Sequence, residues 1–327
     1  MRVVTFGELL MRFSTPENLR FSQAKSYDVY IGGAEANIAI YLSQLQNDVR
    51  YITVVPDNEL GKTALNELHQ WKVNTDMVKS QGQKMGLYFL EKGASARGGN
   101  IIYDREGSSF SQIDEFTFDW DQILEGADWF HWTGITPALS KGAASACKSA
   151  IDAAKKRNIP ISCDLNYRSK LWKYGVDPKE IMPQLIENCS VVIANEHDVV
   201  NYLGISPQNK DYKEVKGFGM RCYEFVSKAM AGQFPNIQYV ISTLRETINA
   251  SQNRWSGILF NGTDFIQGDV HEIDSIVDRV GGGDSFMAAF IHGKLHFNED
   301  KKVLDFALEA SAKKLSIQGD YYILDND

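Results

Sequence analysis

Cysteine is scarce in this 327-residue chain: Cys147, Cys163, Cys189 and Cys222 are the only four, and none stand in Cys-x-x-Cys spacing. That argues against a disulfide framework or a thiolate metal site and for reduced thiols in a cytosolic protein. No apolar run approaches the roughly 20 residues that a membrane span needs. The chain opens on a strand pattern, Val3 to Phe6, without a charged region ahead of an apolar one. No signal peptide is therefore expected, and the expected location is the cytoplasm. Positive charge is in deficit, with a net charge of -8. A nucleic-acid binder would carry a basic patch, so neither nucleic acid nor membrane is an expected partner. A small anion remains open, because a local site can be positive on an acidic protein. Repeats, low-complexity tracts and charge blocks are absent too. His292 and His296 stand four apart, but no His-Glu-x-x-His pattern completes them, so they read as a solvated helix end.

What is present is ordinary globular material, 43% hydrophobic and 23% charged. That suits one large α/β domain with an accessory piece, or two modest domains. Strands are predicted at Tyr51 to Val55, Trp129 to Trp132, Pro160 to Asp164, Val191 to Ala194 and Tyr239 to Thr243. Helices fall between them, including one capped by Asp57, one from Ser140 to Arg157 and a long one near Glu214 to Ala231. This alternation predicts a mostly parallel sheet covered by helices on both faces. Short strands at Tyr27 to Ile31, Gly86 to Leu90 and Asn100 to Arg105 predict a separate small sheet. Two more are expected at Gly257 to Phe260 and Asp264 to Gly268, ahead of a final helix from Lys301 to Ser316. Ligands of parallel sheets sit outside the carboxyl ends of the strands, where Glu8, Asp164, Asn195, Thr243 and Asp284 all fall.

Two Gly-rich helix starts bracket the chain. In Asp278-Arg279-Val280-Gly281-Gly282-Gly283-Asp284-Ser285-Phe286, three glycines lead into an apolar helical run. The unpaired N–H groups and positive dipole of such an end make an anion site, most naturally for phosphate. An aspartate there is an N-cap or, facing a phosphoryl group, a base. The other start, Gly32-Gly33-Ala34-Glu35-Ala36-Asn37, places one turn inside its helix an amide that both donates and accepts. A polyol needs such two-way partners, whereas phosphate needs only donors. Together the two starts suggest phosphoryl transfer to an alcohol.

These two segments resemble the paired signatures of the ribokinase-like (PfkB) carbohydrate kinases, and the resemblance runs over nearly the full chain. The chain has no GxxxxGK[ST] loop, which fits a family that binds ATP without one. The resemblance implies a ribokinase-like α/β fold over residues 1–327 as a single kinase domain. A β lid from about 10–31 and 86–105 would close over the sugar. Tyr103-Asp104-Arg105, Asp164 to Trp172 and Ser242 to Glu246 are most similar to the 2-keto-3-deoxygluconate kinases. That implies MgATP-dependent phosphorylation of 2-dehydro-3-deoxy-D-gluconate at its 6-hydroxyl. Other acceptors on the same scaffold, as in fructokinases or keto-deoxy-galactonate kinases, are alternatives, as is a non-catalytic sugar sensor.

Carried over residue by residue, the resemblance makes Asp284 the general base and the amides of Gly281, Gly282 and Gly283 the anion hole. Gly33, Asn37, Tyr88, Tyr103, Arg105, Arg168 and Asp320 match sugar-contacting positions. A sugar acid needs cationic forks, which Arg105 and Arg168 would supply. Arg105 itself is expected on an exposed hairpin. Asn166, Arg168, Asn195, Thr243, Arg245 and Glu246 match positions along the nucleotide. Asn195 with Asp198 stands where the family organises Mg²⁺ through water, with Asp in place of the usual Glu. Relatives also use a monovalent cation held by backbone carbonyls near the Gly-rich turn. The open edges of the lid sheet make a homodimer the expected assembly. Arg279, beside the anion site, is expected to face solvent.

Overall fold

The computed structural model describes residues 1–206 and 220–324. The first third runs β1 (Arg2–Phe6), β2 (Leu10–Ser14), β3 (Asp28–Gly32), α1 (Ala34–Gln44), β4 (Asp48–Ile52), β5 (Val54–Val55) and α2 (Glu59–Gln70). After β6 (Lys79–Ser80), β7 (Gly86–Glu91) and β8 (Asn100–Asp104) come α3 (Trp120–Ile123), β9 (Trp129–Thr133), α4 (Ile135–Leu139) and α5 (Lys141–Lys156). Next are β10 (Ile161–Asp164), α6 (Pro178–Ile186), β11 (Val191–Ile193), α7 (Glu196–Leu203) and α8 (Met220–Gln233). The chain closes with β12 (Tyr239–Asn249), β13 (Gln252–Phe260), β14 (Phe265–Gln267), β15 (His271–Ile273), α9 (Gly282–His296) and α10 (Asp300–Lys314).

Among the described residues, nine strands form the main sheet in the order β14-β13-β12-β11-β10-β9-β1-β4, with β15 also on β13. From β12 to β4 every pairing is parallel; β13, β14 and β15 are antiparallel. Successive side chains of a strand point to opposite faces, and here both faces are covered. Val3 enters the core under α1, α9 and α10, while Val4 and Phe6 enter the core under α5 and α6. Burial on both sides is why β9 reads Trp-Phe-His-Trp-Thr without alternation, all five residues being buried. Cys147, Cys163 and Cys189 are free and buried in the second core, and Cys222 is free and half-buried.

A separate four-stranded sheet has the order β3-β2-β7-β8, parallel between β2 and β7 and antiparallel elsewhere. It is the predicted small sheet. The long β12–β13 hairpin reaches toward it: Ala250 N donates to Ser95 O at 2.8 Å. No helix among the described residues is long and apolar enough to cross a membrane.

Three sequence expectations need correction. The strand expected at Tyr51 to Val55 is two, broken at Thr53, whose carbonyl accepts from Lys79 N and whose hydroxyl accepts from Leu9 N. Asn58, not Asp57, caps α2, its Oδ1 accepting from Leu60 N and Gly61 N at 3.0 and 3.2 Å. The Gly257 strand begins earlier, at Gln252, because its partner β12 runs on to Asn249. The predicted start of α8 near Glu214 lies outside the described residues.

Candidate active site

The carboxyl ends of β10 and β11 and the far half of β12 meet the two Gly-rich turns around a cavity of about 1300 Å³. Gly33 caps α1 with φ 146°, and a Cβ there would fall 2.3 Å from the carbonyl oxygen of Glu8. Gly281 caps α9 with φ 81°, where a Cβ would fall 1.7 Å from the carbonyl oxygen of Asp320. Only glycine fits either place. At Gly283 a Cβ would meet nothing within 4 Å, so packing does not require that glycine. It lines the cavity with Gly281 and Gly282, where the free amides of the helix start are available to an anion.

Asp284 and Asn37 join the two turns. The Asn37 amide donates to Asp284 Oδ2 at 2.6 Å, and its own Oδ1 has no partner among the described residues. Burial pushes the Asp284 carboxyl up to about 6, the Asn37 bond opposes this, and Asp320 adds to the rise. Arg168 and Lys314 pull it back toward ionisation. At neutral pH the group is therefore mostly a carboxylate with a strengthened affinity for a proton, the condition a general base needs. Asp164, at the end of β10, is raised further, to about 8, by burial and by Asp198 and Asp284. Asn166 Nδ2 donates to its Oδ2 at 3.4 Å.

The small sheet supplies Tyr88 and Tyr103, whose rings face each other across β7 and β8 at 6.2 Å. Tyr88 donates its hydroxyl to Asp320 Oδ2 at 2.5 Å, so these two expected sugar contacts are bonded to one another. Arg105 lines the cavity as expected, but not from an exposed hairpin. It is buried past the end of β8, with Nε on Glu8 Oε2 at 2.6 Å. The same carboxylate takes the Ser108 hydroxyl. Burying a guanidinium without such a partner would be prohibitive, and Glu8, close after β1, provides it. Arg168 is exposed toward the cavity.

On the nucleotide side, Thr243, Arg245 and Thr247 of β12 line the cavity and Glu246 does not. Alternation along the strand turns Glu246 to the other face, where it pairs with Arg254 at 2.9 Å. Glu246, expected along the nucleotide, thus sits on the face of β12 away from the cavity. Arg279 does not simply face solvent. Its guanidinium donates to the carbonyls of Asn249 and Ala250 at the hairpin turn, at 3.1 and 2.8 Å. Asn195 and Asp198 line the cavity and also form the capping box of α7: Asn195 Oδ1 accepts from Asp198 N at 2.9 Å. Asp198 Oδ1 accepts from Tyr167 N at 3.1 Å. Among the described residues no group of three or more His, Cys, Asp or Glu could hold a metal directly. His292 is half-buried rather than solvated, bonded to Asn47 at 3.0 Å, and burial lowers its pKa to about 4.

Several residues that shape the site had no role assigned from sequence. Arg12 of β2 is buried, with its guanidinium on both Asp278 oxygens (3.2 and 2.6 Å) and its Nε 3.1 Å from Asp320. Glu35 is buried with Oε1 on Thr133 N and Oγ1 at 3.1 and 2.7 Å, and burial raises it to about 7. Lys314 ends α10 inside the core. A signal for it was available: Val303, Ala307, Ala310 and Lys314 fall on one buried stripe at helical spacing.

Residues 1–217 match the pfkB family carbohydrate kinases. The chain belongs to that family. This kinase is also similar over nearly its whole length to other proteins, the first two below being of known structure. A 2-dehydro-3-deoxygluconokinase from Thermotoga maritima is 40% identical, with a TM-score of 0.92 and coverage of 99% of this chain and 96% of that one. A PfkB family carbohydrate kinase from Listeria grayi is 36% identical, with a TM-score of 0.89 and coverage of 98% and 96%. A 2-dehydro-3-deoxygalactonokinase from Haloferax volcanii is 28% identical over 99% of this chain and 94% of its own. The kinase thus has the ribokinase-like fold, a large mostly parallel sheet with a separate small one.

Proposed function

We propose that this kinase transfers the γ-phosphoryl group of MgATP to the 6-hydroxyl of 2-dehydro-3-deoxy-D-gluconate. The observation that carries the reading is the carboxylate of Asp284 at the start of α9, held by Asn37 and bordered by the glycine amides. Asp284 takes the hydroxyl proton as the oxygen bonds to the γ-phosphorus. The bond from that phosphorus to the bridging oxygen breaks, and the electron pair leaves with ADP. Amides of Gly281, Gly282 and Gly283 donate to the equatorial oxygens over which the charge spreads. Arg168, and Arg105 braced by Glu8, hold the substrate's carboxylate and keto end, while Gly33, Asn37, Tyr88, Tyr103 and Asp320 surround its hydroxyls. Thr243, Arg245, Asn166 and Asn195 border the nucleotide.

Mg²⁺ accompanies the nucleotide and neutralises phosphate charge. With the Asp198 carboxylate accepting from the backbone amides of Tyr167 and Asn195, Asn195 and Asp198 would reach the ion through water. Asp164, pushed up to about 8 by burial and then by its acidic neighbours, would regain its charge beside a cation. The small sheet serves as a lid that excludes water, a competing acceptor. Its outer strands β3 and β8 expose Val29 and Ile102 and suit pairing of two copies into a homodimer. The C4 epimer is the second reading, favoured by the similarity to the galactonate enzyme. A coupled assay of ADP release over both keto-deoxy acids and fructose tests the proposal; equal turnover on fructose would overturn the carboxylate role of the arginines.

A further inference from the structure

Lys314 is fully buried at the end of α10, and its ammonium donates to the carbonyl of Ile317 at 3.1 Å. Its Cε lies 3.3 Å from where a Cβ on Gly281 would stand. Gly281 lines the cavity and Lys314 does not, so the ammonium sits behind the anion-binding turn, out of a ligand's reach. Burial draws its pKa down to about 8, while Asp278 and Asp320 work the other way, and it stays mostly charged at neutral pH. Arg12 and Asp284 are the other charges that act on it.

A free alkali ion behind this turn would meet the buried ammonium and be repelled by it, and four nearby carbonyls already have donors. The Ile317 carbonyl takes the ammonium, the Leu315 carbonyl takes Val277 N at 2.8 Å, and the Gly281 carbonyl takes Ser285 N at 2.9 Å. The Gly282 carbonyl takes the Ser311 hydroxyl at 2.7 Å. A buried ammonium is costly to desolvate, so a chain that places one under its phosphoryl site has a use for the charge. We propose that Lys314 is a tethered monovalent cation that positions the Gly281–Gly283 turn, and that this kinase needs no alkali-metal ion. The inference rests on the reading of that turn as the phosphoryl site.

The test is nucleotide binding by calorimetry and turnover by ADP release, each in potassium, sodium and tetramethylammonium chloride at equal ionic strength. Wild-type enzyme should give the same ADP affinity and kcat in all three. Activation by potassium over tetramethylammonium would overturn the proposal. Lys314→Met removes the charge and keeps most of the stem. A supporting group of this kind is worth about 10- to 100-fold, and the loss should fall on kcat and ADP affinity, leaving sugar KM unchanged. Potassium or ammonium should restore part of it. A folded Lys314→Met enzyme with unchanged kcat in every salt would overturn the proposal. Should that variant not fold, wild-type ADP binding across the three salts decides. ADP binding needs no sugar, so a wrong choice of acceptor would leave this result intact.

Discussion

Asn37 and Asp284, 247 residues apart in sequence, share a 2.6 Å hydrogen bond between the two Gly-rich helix starts. The bond orients the carboxylate and tunes it. It therefore ties the turn proposed to hold the alcohol to the turn proposed to hold the phosphoryl group in a single contact.

Asp284→Asn should lower kcat by about a hundred- to ten-thousandfold, the usual worth of a positioned base. Sugar and nucleotide binding, followed by calorimetry, should change little, since the amide keeps the shape of the carboxylate. Full activity in this variant would rule out the mechanism.

The pH profile of kcat/KM carries the same group. With Asp284 raised to about 6, activity should fall as pH drops through that value and the base becomes protonated. Asn37→Ala removes a bond that holds the pKa down, so the acidic limb should move to higher pH. A limb at an unperturbed carboxylate pKa, or one that Asn37→Ala leaves in place, would contradict the burial-driven shift.

Arg168→Ala should raise KM for the keto-deoxy acids. Hydrogen bonds to charged groups are worth about 1.5–3 kcal/mol, or roughly 10- to 100-fold. KM for a neutral ketose should hardly respond. Glu246→Ala, on the far face of β12, should leave KM for ATP as it was; a large change there would return Glu246 to the nucleotide side.

Arg12→Met should destabilise the fold by about 3–5 kcal/mol, the usual result of stripping one partner from a buried ion pair. It leaves Asp278 and Asp320 without their guanidinium. Urea unfolding followed by fluorescence would measure it. A change below 1 kcal/mol would mean the cluster behaves like a surface pair.

Much of the architecture was legible because it rests on local pattern. Glycines at Gly33 and Gly281 mark turns no other residue fits, and buried runs such as Trp129 to Thr133 announce a covered parallel sheet. Residues without a local signature were harder to read. Arg12 finds Asp278 across 266 positions, and Arg105 finds Glu8 across 97, so neither burial shows in its own neighbourhood. Glu246 is harder to read for a different reason: a motif is a continuous run, and a strand offers only every second residue to one side.

Arg12 belongs to β2, an interior strand of the small sheet, and Asp278 opens the segment that leads into α9. The sheet proposed as a roof over the sugar is accordingly bolted at its root to the turn proposed as a floor beneath the phosphates. Swinging the whole sheet aside would strip that bolt of its partner in a water-free interior. Under the proposed function, admission of substrate would fall to the outer strand β8 and the neighbouring loop from Gly93 to Gly99, which among the described residues have no ion pair to the segment ahead of α9.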